Sequence, residues 1–267
     1  MDTITLIIAG LVVSLAISFS MAVVFWTRRT YPGFGYWLAG SGCRVLSAAL
    51  FLLPRDQFPP WLTIILANYL LFAELILYQR GTLIFRGQPV RVRWELAGSL
   101  VFLALFFWFT YVEPSLNARV ATSNLLNAVW TLRLFLTLLT RGPPYYGSFD
   151  RWQAGIWAVL TVVDLLRAIY VGLLAPPLGD YLAGPAYQGE WILLLILTSL
   201  LVTLSQVVMN SQRLEYDLRL TQEALEEDIR ERERVEDELR EAKARLEATF
   251  NALPDLLLRV DRAGRAR

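Results

Sequence analysis

Apolar positions fill residues 1–209 in seven runs separated by short polar or proline-bearing breaks, at 3–26, 36–53, 60–79, 95–112, 119–139, 154–173 and 190–209. A hydrocarbon core ~30 Å thick takes ~20 apolar residues wound as a helix, the one single segment that satisfies its own backbone hydrogen bonds in lipid. The pattern predicts an all-α membrane protein, a seven-transmembrane helix bundle. The breaks carry turn chemistry: Tyr31-Pro32-Gly33, Pro54 with Pro59-Pro60, Pro114, Gly142-Pro143-Pro144 and Pro176-Pro177. Connections this short make consecutive helices antiparallel neighbours.

Beyond Val208 the pattern changes to one of charge. Arg213 to Glu247 holds thirteen acidic and eight basic residues, helix-forming in composition. One heptad register places Leu218, Leu225, Arg232, Leu239 and Leu246 at a, and Leu214, Thr221, Asp228, Val235 and Ala242 at d. Leu214, Leu218, Leu225, Val235, Leu239 and Leu246 form the apolar seam of a coiled coil, and a parallel homodimer is the expected partner state. The polar middle of the seam has two explanations. The stripe changes phase at Ile229, as in a stutter, or the layers are marginal so that movement of the last membrane helix shifts their packing. A solvated linker helix without a switching role is the plain alternative. The chain thus divides into a seven-helix membrane domain at 1–209, a cytoplasmic coiled-coil helix at 210–250 and a tail at 251–267.

Charge supplies the orientation. With the N-terminus outside, the inner loops hold Arg28, Arg29, Arg80, Arg86, Arg91, Arg93, Arg141 and Arg151, against Arg55 and Arg119 in the outer loops. This asymmetry puts the C-terminus in the cytoplasm. Trp26, Trp37, Trp61, Trp94, Trp108, Trp152 and Trp191 fall near predicted helix ends, where an amphipathic ring prefers the interface; Trp130 and Trp157 lie deeper. The first run has no basic residue before it and no small-residue cleavage site, so it reads as a retained helix.

In the tail, a helix is expected to end near Ala252. Pro254 opens an extended run, Leu256 to Val260, and Asp261 to Gly264 makes a turn. Leu253-Pro254-Asp255 with this turn resembles the opening of a PAS domain, in which a first strand follows a helix, and implies a truncated start of such a domain. The segments Thr30 to Trp37, Pro59 to Asn68 and Arg80 to Gly87 are similar to the multi-helix input region that precedes PAS and GGDEF modules in bacterial diguanylate cyclases, and also histidine kinases. The resemblance implies a sensor architecture in a bacterial inner membrane and names no stimulus.

Past their first positions the predicted spans hold five charged residues: Arg44, Glu74, Arg133, Asp164 and Arg167. Each costs ~2.5 to 3.5 kcal/mol at a helix centre by insertion scales, so each must face the bundle interior, pair or snorkel. Arg44 and Glu74 sit at similar depth and are expected partners. Asp164 and Arg167 are an i,i+3 pair on one face, and Arg133 either snorkels or reaches Asp164. Asn124, Asn127 and Thr131 make a polar stripe beside Trp130 that, with Asn68, lines a pocket or bonds neighbouring helices. Two readings stand: a polar network that binds a small molecule or proton and shifts the helices, or structural pairs that lock packing. The small residues Ala39 to Cys43 suit close helix contact.

Several chemistries are excluded. The chain has no histidine, one cysteine, Cys43, and one lysine, Lys243, which lies in the charged helix. Retinal bound through a bundle lysine, His-ligated haem and an intrachain disulfide are therefore impossible. No phosphate-binding loop, nucleophile elbow or zinc-protease motif occurs, so no catalytic residue, metal or cofactor is expected, and no nucleic-acid partner. The leading expectation is a sensory input module acting on a PAS domain and effector. The alternative is a small-molecule or ion transporter or channel with a cytoplasmic dimerisation helix, against which stand the odd helix count and the lack of an inverted repeat.

Overall fold

The structure is a computed structural model that describes residues 3–140, 149–178 and 187–257, and those residues contain helices and no strand. They form α1 (Thr3–Thr27), α2 (Phe34–Phe51), α3 (Ala67–Phe85), α4 (Val92–Phe107), α5 (Leu116–Leu139), α6 (Phe149–Ile169) and α7 (Tyr187–Leu257). Wide π-helical turns precede α3 at Trp61–Leu66 and close α4 and α6 at Trp108–Val112 and Tyr170–Leu174.

Among the described residues, five segments are long and apolar enough to cross a membrane: Thr3–Thr27, Trp61–Phe85, Val92–Val112, Asp150–Leu174 and Gly189–Asn251. The remaining helices, α2 and α5, carry the glycine, serine and arginine of one and the asparagines and arginines of the other. Both pack on several neighbours, α2 on α1 and α3, and α5 on α3, α4 and α6. Their polar groups are thereby given protein partners.

Helix limits differ from expectation where the backbone finds a better partner. Arg80 to Gly87 was expected as a loop, yet α3 runs on to Phe85. Arg80 is bound there by Glu95 of α4, Gly81 continues the helix where it packs closely on Trp37, and Gly87, with a φ of +67°, follows the helix end. At the far end α7 continues through Pro254 to Leu257, past the stop expected near Ala252, so Leu256 and Leu257 are helical rather than extended. Helix satisfies the backbone locally, whereas a lone strand has nothing to pair with. The rest of the expected strand and its turn lie outside the described residues.

The chain divides into two units, Met1–Leu214 and Glu215–Arg267. The first has an aromatic core in which Phe34, Trp37, Tyr78, Phe85 and Trp157 meet Met21, Leu134 and Met209. A second cluster, Phe72, Phe102, Phe106 and Trp130, ties α3, α4 and α5 together. Trp26, Trp61, Trp94, Trp108 and Trp152 are exposed at helix ends, while Trp37 and Trp191 are buried and serve packing.

The described part of the second unit is a single helix. Its acids stand one turn before its bases, as in Glu215 with Arg219 (2.5 Å), Asp228 with Arg232 (2.9 Å) and Glu241 with Arg245 (3.1 Å). Each such pair contributes ~0.2–0.5 kcal/mol in this order. Leu218, Leu225, Val235, Leu239 and Leu246 are all exposed. Leu214 differs from these seam residues: it packs against the first unit's aromatic core.

Candidate functional site

Close approach of α2 and α3 creates the site's charged centre. Gly40 permits it, since a Cβ there would lie 2.7 Å from the Tyr78 ring, and Ser47 Oγ donates to the Ala67 carbonyl at 2.7 Å. Gly42, from the same small-residue run, has nothing within 4 Å. At this spacing the Arg44 fork meets Glu74 with both prongs, Nε to Oε2 at 2.9 Å and Nη2 to Oε1. Glu74 is 3% exposed, so a two-pronged partner is what makes its burial tolerable.

Arg44 and Glu74 open on a cavity of ≈170 Å³ in the middle of the bundle. Its polar lining adds Ser14 of α1, Asn127 and Thr131 of α5, Asp164 of α6, and Thr198 and Ser199 of α7, among largely apolar walls. Thr161 Oγ1 donates to Thr131 Oγ1 at 3.0 Å and fixes α6 to α5 beside the cavity. Asp164 is 3% exposed, and its Oδ1 has no hydrogen-bond partner among the described residues. Arg167 does not close a hydrogen-bonded pair with it. The Arg167 guanidinium stands 4.4 Å from the Trp191 ring centroid, although its charge still bears on the Asp164 carboxylate.

A second cavity of ≈100 Å³ adjoins the first, with Phe51, Leu71, Asn127 and Leu195 lining both. It is lined by Arg55, Arg119 and Arg167, and by Asn68, Ser123, Asn124 and Trp191, with no acidic residue in its wall among the described residues. Asn68 Nδ2 donates to the Ile64 carbonyl at 2.7 Å and Asn124 Nδ2 to the Val120 carbonyl at 2.6 Å. Both amides therefore retain their oxygens as acceptors.

Seven of the nine residues expected in an intramembrane network line one cavity or the other: Arg44, Asn68, Glu74, Asn124, Asn127, Asp164 and Arg167. Trp130 and Arg133 do not. Trp130 turns toward Phe72 and Gly98, and Arg133 lies 5.1 Å from its ring centroid instead of reaching Asp164. Among the described residues, the part-buried pair of Arg80 with Glu95 and the buried pair of Arg86 with Asp150 (3.0 Å) went unread in the sequence, because Arg80, Arg86 and Asp150 fall where apolar runs place loops and Glu95 only opens a run.

The exit of α7 from the bundle is held by polar contacts that no apolar pattern signals. Asn210 Oδ1 accepts from the Tyr31 backbone N–H at 3.1 Å, and its Nδ2 donates to the Arg29 carbonyl at 3.4 Å. Arg213 Nη1 donates to the Phe85 carbonyl at 2.8 Å, and the Tyr31 hydroxyl donates to the Arg213 carbonyl at 3.4 Å. Gly33, at φ +107°, makes the turn that delivers Tyr31; a side chain there would strike the Gly81 carbonyl. No known protein family, curated protein or solved structure matches this chain.

Proposed function

We propose that this chain is the membrane-bound sensory input module of a bacterial signal-transduction protein. In this reading its seven helices span the inner membrane with the N-terminus outside. A small molecule in the paired cavities shifts α7, and the charged helix, joined to a second copy as a parallel coiled coil, carries the shift to a cytoplasmic PAS and effector module of the diguanylate cyclase or histidine kinase kind. One observation carries the reading. Thr198, Ser199 and Val202, which face the central cavity, belong to the same unbroken helix as the exposed leucines from Leu218 onward. A ligand that repacks those residues acts directly on the helix that leaves the bundle.

The seam is tested by disulfide crosslinking in native membranes after Cys43→Ala removes the only native thiol. Cysteines at Leu225 or Leu239 should give dimers, and a cysteine at Glu223, off the seam, should give few. Equal yields at Leu225 and Glu223, or none at all, would remove the dimer axis. A second reading, a transporter or channel, draws on the adjoining cavities, with Arg119 lining one, Glu74 and Asp164 the other, and Asn127 both. Solute or ion flux in liposomes that Asp164→Ala abolishes would favour it, and absent flux counts against it.

A further inference from the structure

We infer that the central cavity is a binding site for a small apolar molecule bearing one hydroxyl, a single-ring phenol being the class that best fits, with the hydroxyl seated between Asn127 of α5 and Asp164 of α6. The assignment rests on the reading of the cavities as ligand sites, and not on signal output. Both side chains line the cavity. Asn127 Oδ1 and Asp164 Oδ1 are each buried without a hydrogen bond among the described residues. A buried oxygen without a donor is costly, and a ligand that supplies one recovers that cost on binding.

Helix register brings the two residues to one level. The antiparallel helices α5 and α6 touch where Thr161 Oγ1 donates to Thr131 Oγ1 at 3.0 Å. Asn127 comes one turn before Thr131 in α5, and Asp164 comes nearly one turn after Thr161 in α6. On antiparallel axes both steps run the same way, by about 6 Å and about 4.5 Å. The register continues in that direction, where a Cβ on Gly172 would stand 3.3 Å from that of Ala121, and Asn117 Nδ2 donates to the Val171 carbonyl at 3.1 Å.

Neighbouring threonines have already committed their protons. Thr131 donates to the carbonyls of Asn127 and Ala128, Thr161 to Thr131 and the Trp157 carbonyl, and Thr198 to the Leu194 carbonyl. A ligand hydroxyl suits the gap, because it gives its proton to one side chain and accepts from the amide N–H or carboxyl O–H of the other. The rest of the molecule meets Val13, Leu75, Leu160, Ile192 and Val202, which call for hydrocarbon. A volume of ≈170 Å³ limits its size. An apolar cavity of about 150 Å³ takes a benzene ring, so one ring with its hydroxyl is the right scale.

The test is thermal unfolding and calorimetric titration of the full chain in uncharged detergent with phenol, with toluene, of the same shape and without the hydroxyl, and with the larger 4-phenylphenol. Phenol should stabilise the protein saturably, and the other two should do so much less. Asp164→Leu and Asn127→Leu keep similar volume and remove the hydrogen bond, so each should weaken phenol binding about tenfold or more. Asp164→Asn still hydrogen-bonds and should recover part of the loss. Comparison of variants at equal phenol concentration cancels partition into the micelle, and either leucine variant serves if the other fails to fold.

Equal responses to phenol and toluene make the cavity a plain apolar void and overturn the site. So does a 4-phenylphenol response as large as that of phenol, unaltered phenol binding by a folded leucine variant, or no saturable effect of phenol. Phenol binding that leaves Leu225→Cys crosslinking unchanged keeps the site and counts against the sensory reading. Intact crosslinking without phenol binding sinks the site alone.

Discussion

The guanidinium of Arg213 lies 4.1 Å from the centroid of the Tyr31 ring and donates to the Phe85 carbonyl on its other side. One side chain of α7 therefore touches both the turn between α1 and α2 and the end of α3, one helical turn after Asn210 has already bonded that same inter-helix turn. Anything that moves the cavity-facing part of α7 must work against this clamp. Arg213→Ala removes a hydrogen bond and two ring contacts, so a loss of about 1–3 kcal/mol is expected in thermal unfolding in mild detergent. Arg213→Lys keeps the charge without the planar fork and should recover only part of the loss. Full wild-type stability in both variants would show that the clamp contributes nothing.

Glu74 and Arg44 make a sharper comparison between single and paired changes. Glu74→Ala leaves the Arg44 charge in the bundle without its two-pronged acceptor and should cost about 3–5 kcal/mol. Arg44→Met with Glu74→Leu removes both charges and fills similar volume, so the double variant should unfold much nearer the wild-type temperature than Glu74→Ala. Additive losses in the double variant would mean that the two residues act independently.

Close packing around Trp130 gives a prediction with a built-in control. A Cβ on Gly98 would run into the six-membered ring of Trp130, which is already held by Phe72 at 5.0 Å between centroids. Gly98→Ala should lower stability by about 1–3 kcal/mol through overpacking. Trp130→Leu frees the space, so the double variant should be more stable than expected from the sum of the single losses. Strict additivity of Gly98→Ala and Trp130→Leu would contradict the contact.

Which parts of this architecture were legible in the sequence follows from what each signal encodes. Apolar runs and proline breaks located every helix of the bundle, because lipid or protein must cover twenty-odd apolar residues wherever they occur. Arg44 and Glu74 could be paired by counting depth, since rise per residue is fixed along a helix. Rotation about the axis is not fixed by depth. Arg167 was expected beside Asp164, and Arg133 either snorkelling or reaching it, and each stands against an aromatic face, Trp191 and Trp130, that only the packed bundle presents. Leu214 fitted the heptad as well as Leu218 did, and only tertiary contact shows that the first belongs to the bundle core and the second is exposed. The contacts of Asn210 with Tyr31 join residues far apart in the chain, and no local pattern marks them.

Asp164 should behave in the opposite way to Glu74, although both carboxylates are 3% exposed on the wall of one cavity. Glu74 holds two charge-assisted hydrogen bonds, whereas Asp164 has an oxygen with none among the described residues. An ionised carboxylate buried without hydrogen bonds is destabilising, and the nearby Arg167 charge offsets only part of that cost. Asp164→Asn keeps the shape and removes the ionisable group, so at neutral pH the unfolding temperature should stay level or rise, while Glu74→Gln lowers it. If the cavity senses, Asp164→Asn should also change the ligand-dependent crosslinking at Leu225 while the fold remains intact. A marked drop in stability on Asp164→Asn would instead make Asp164 a structural partner like Glu74 and remove it from the binding site.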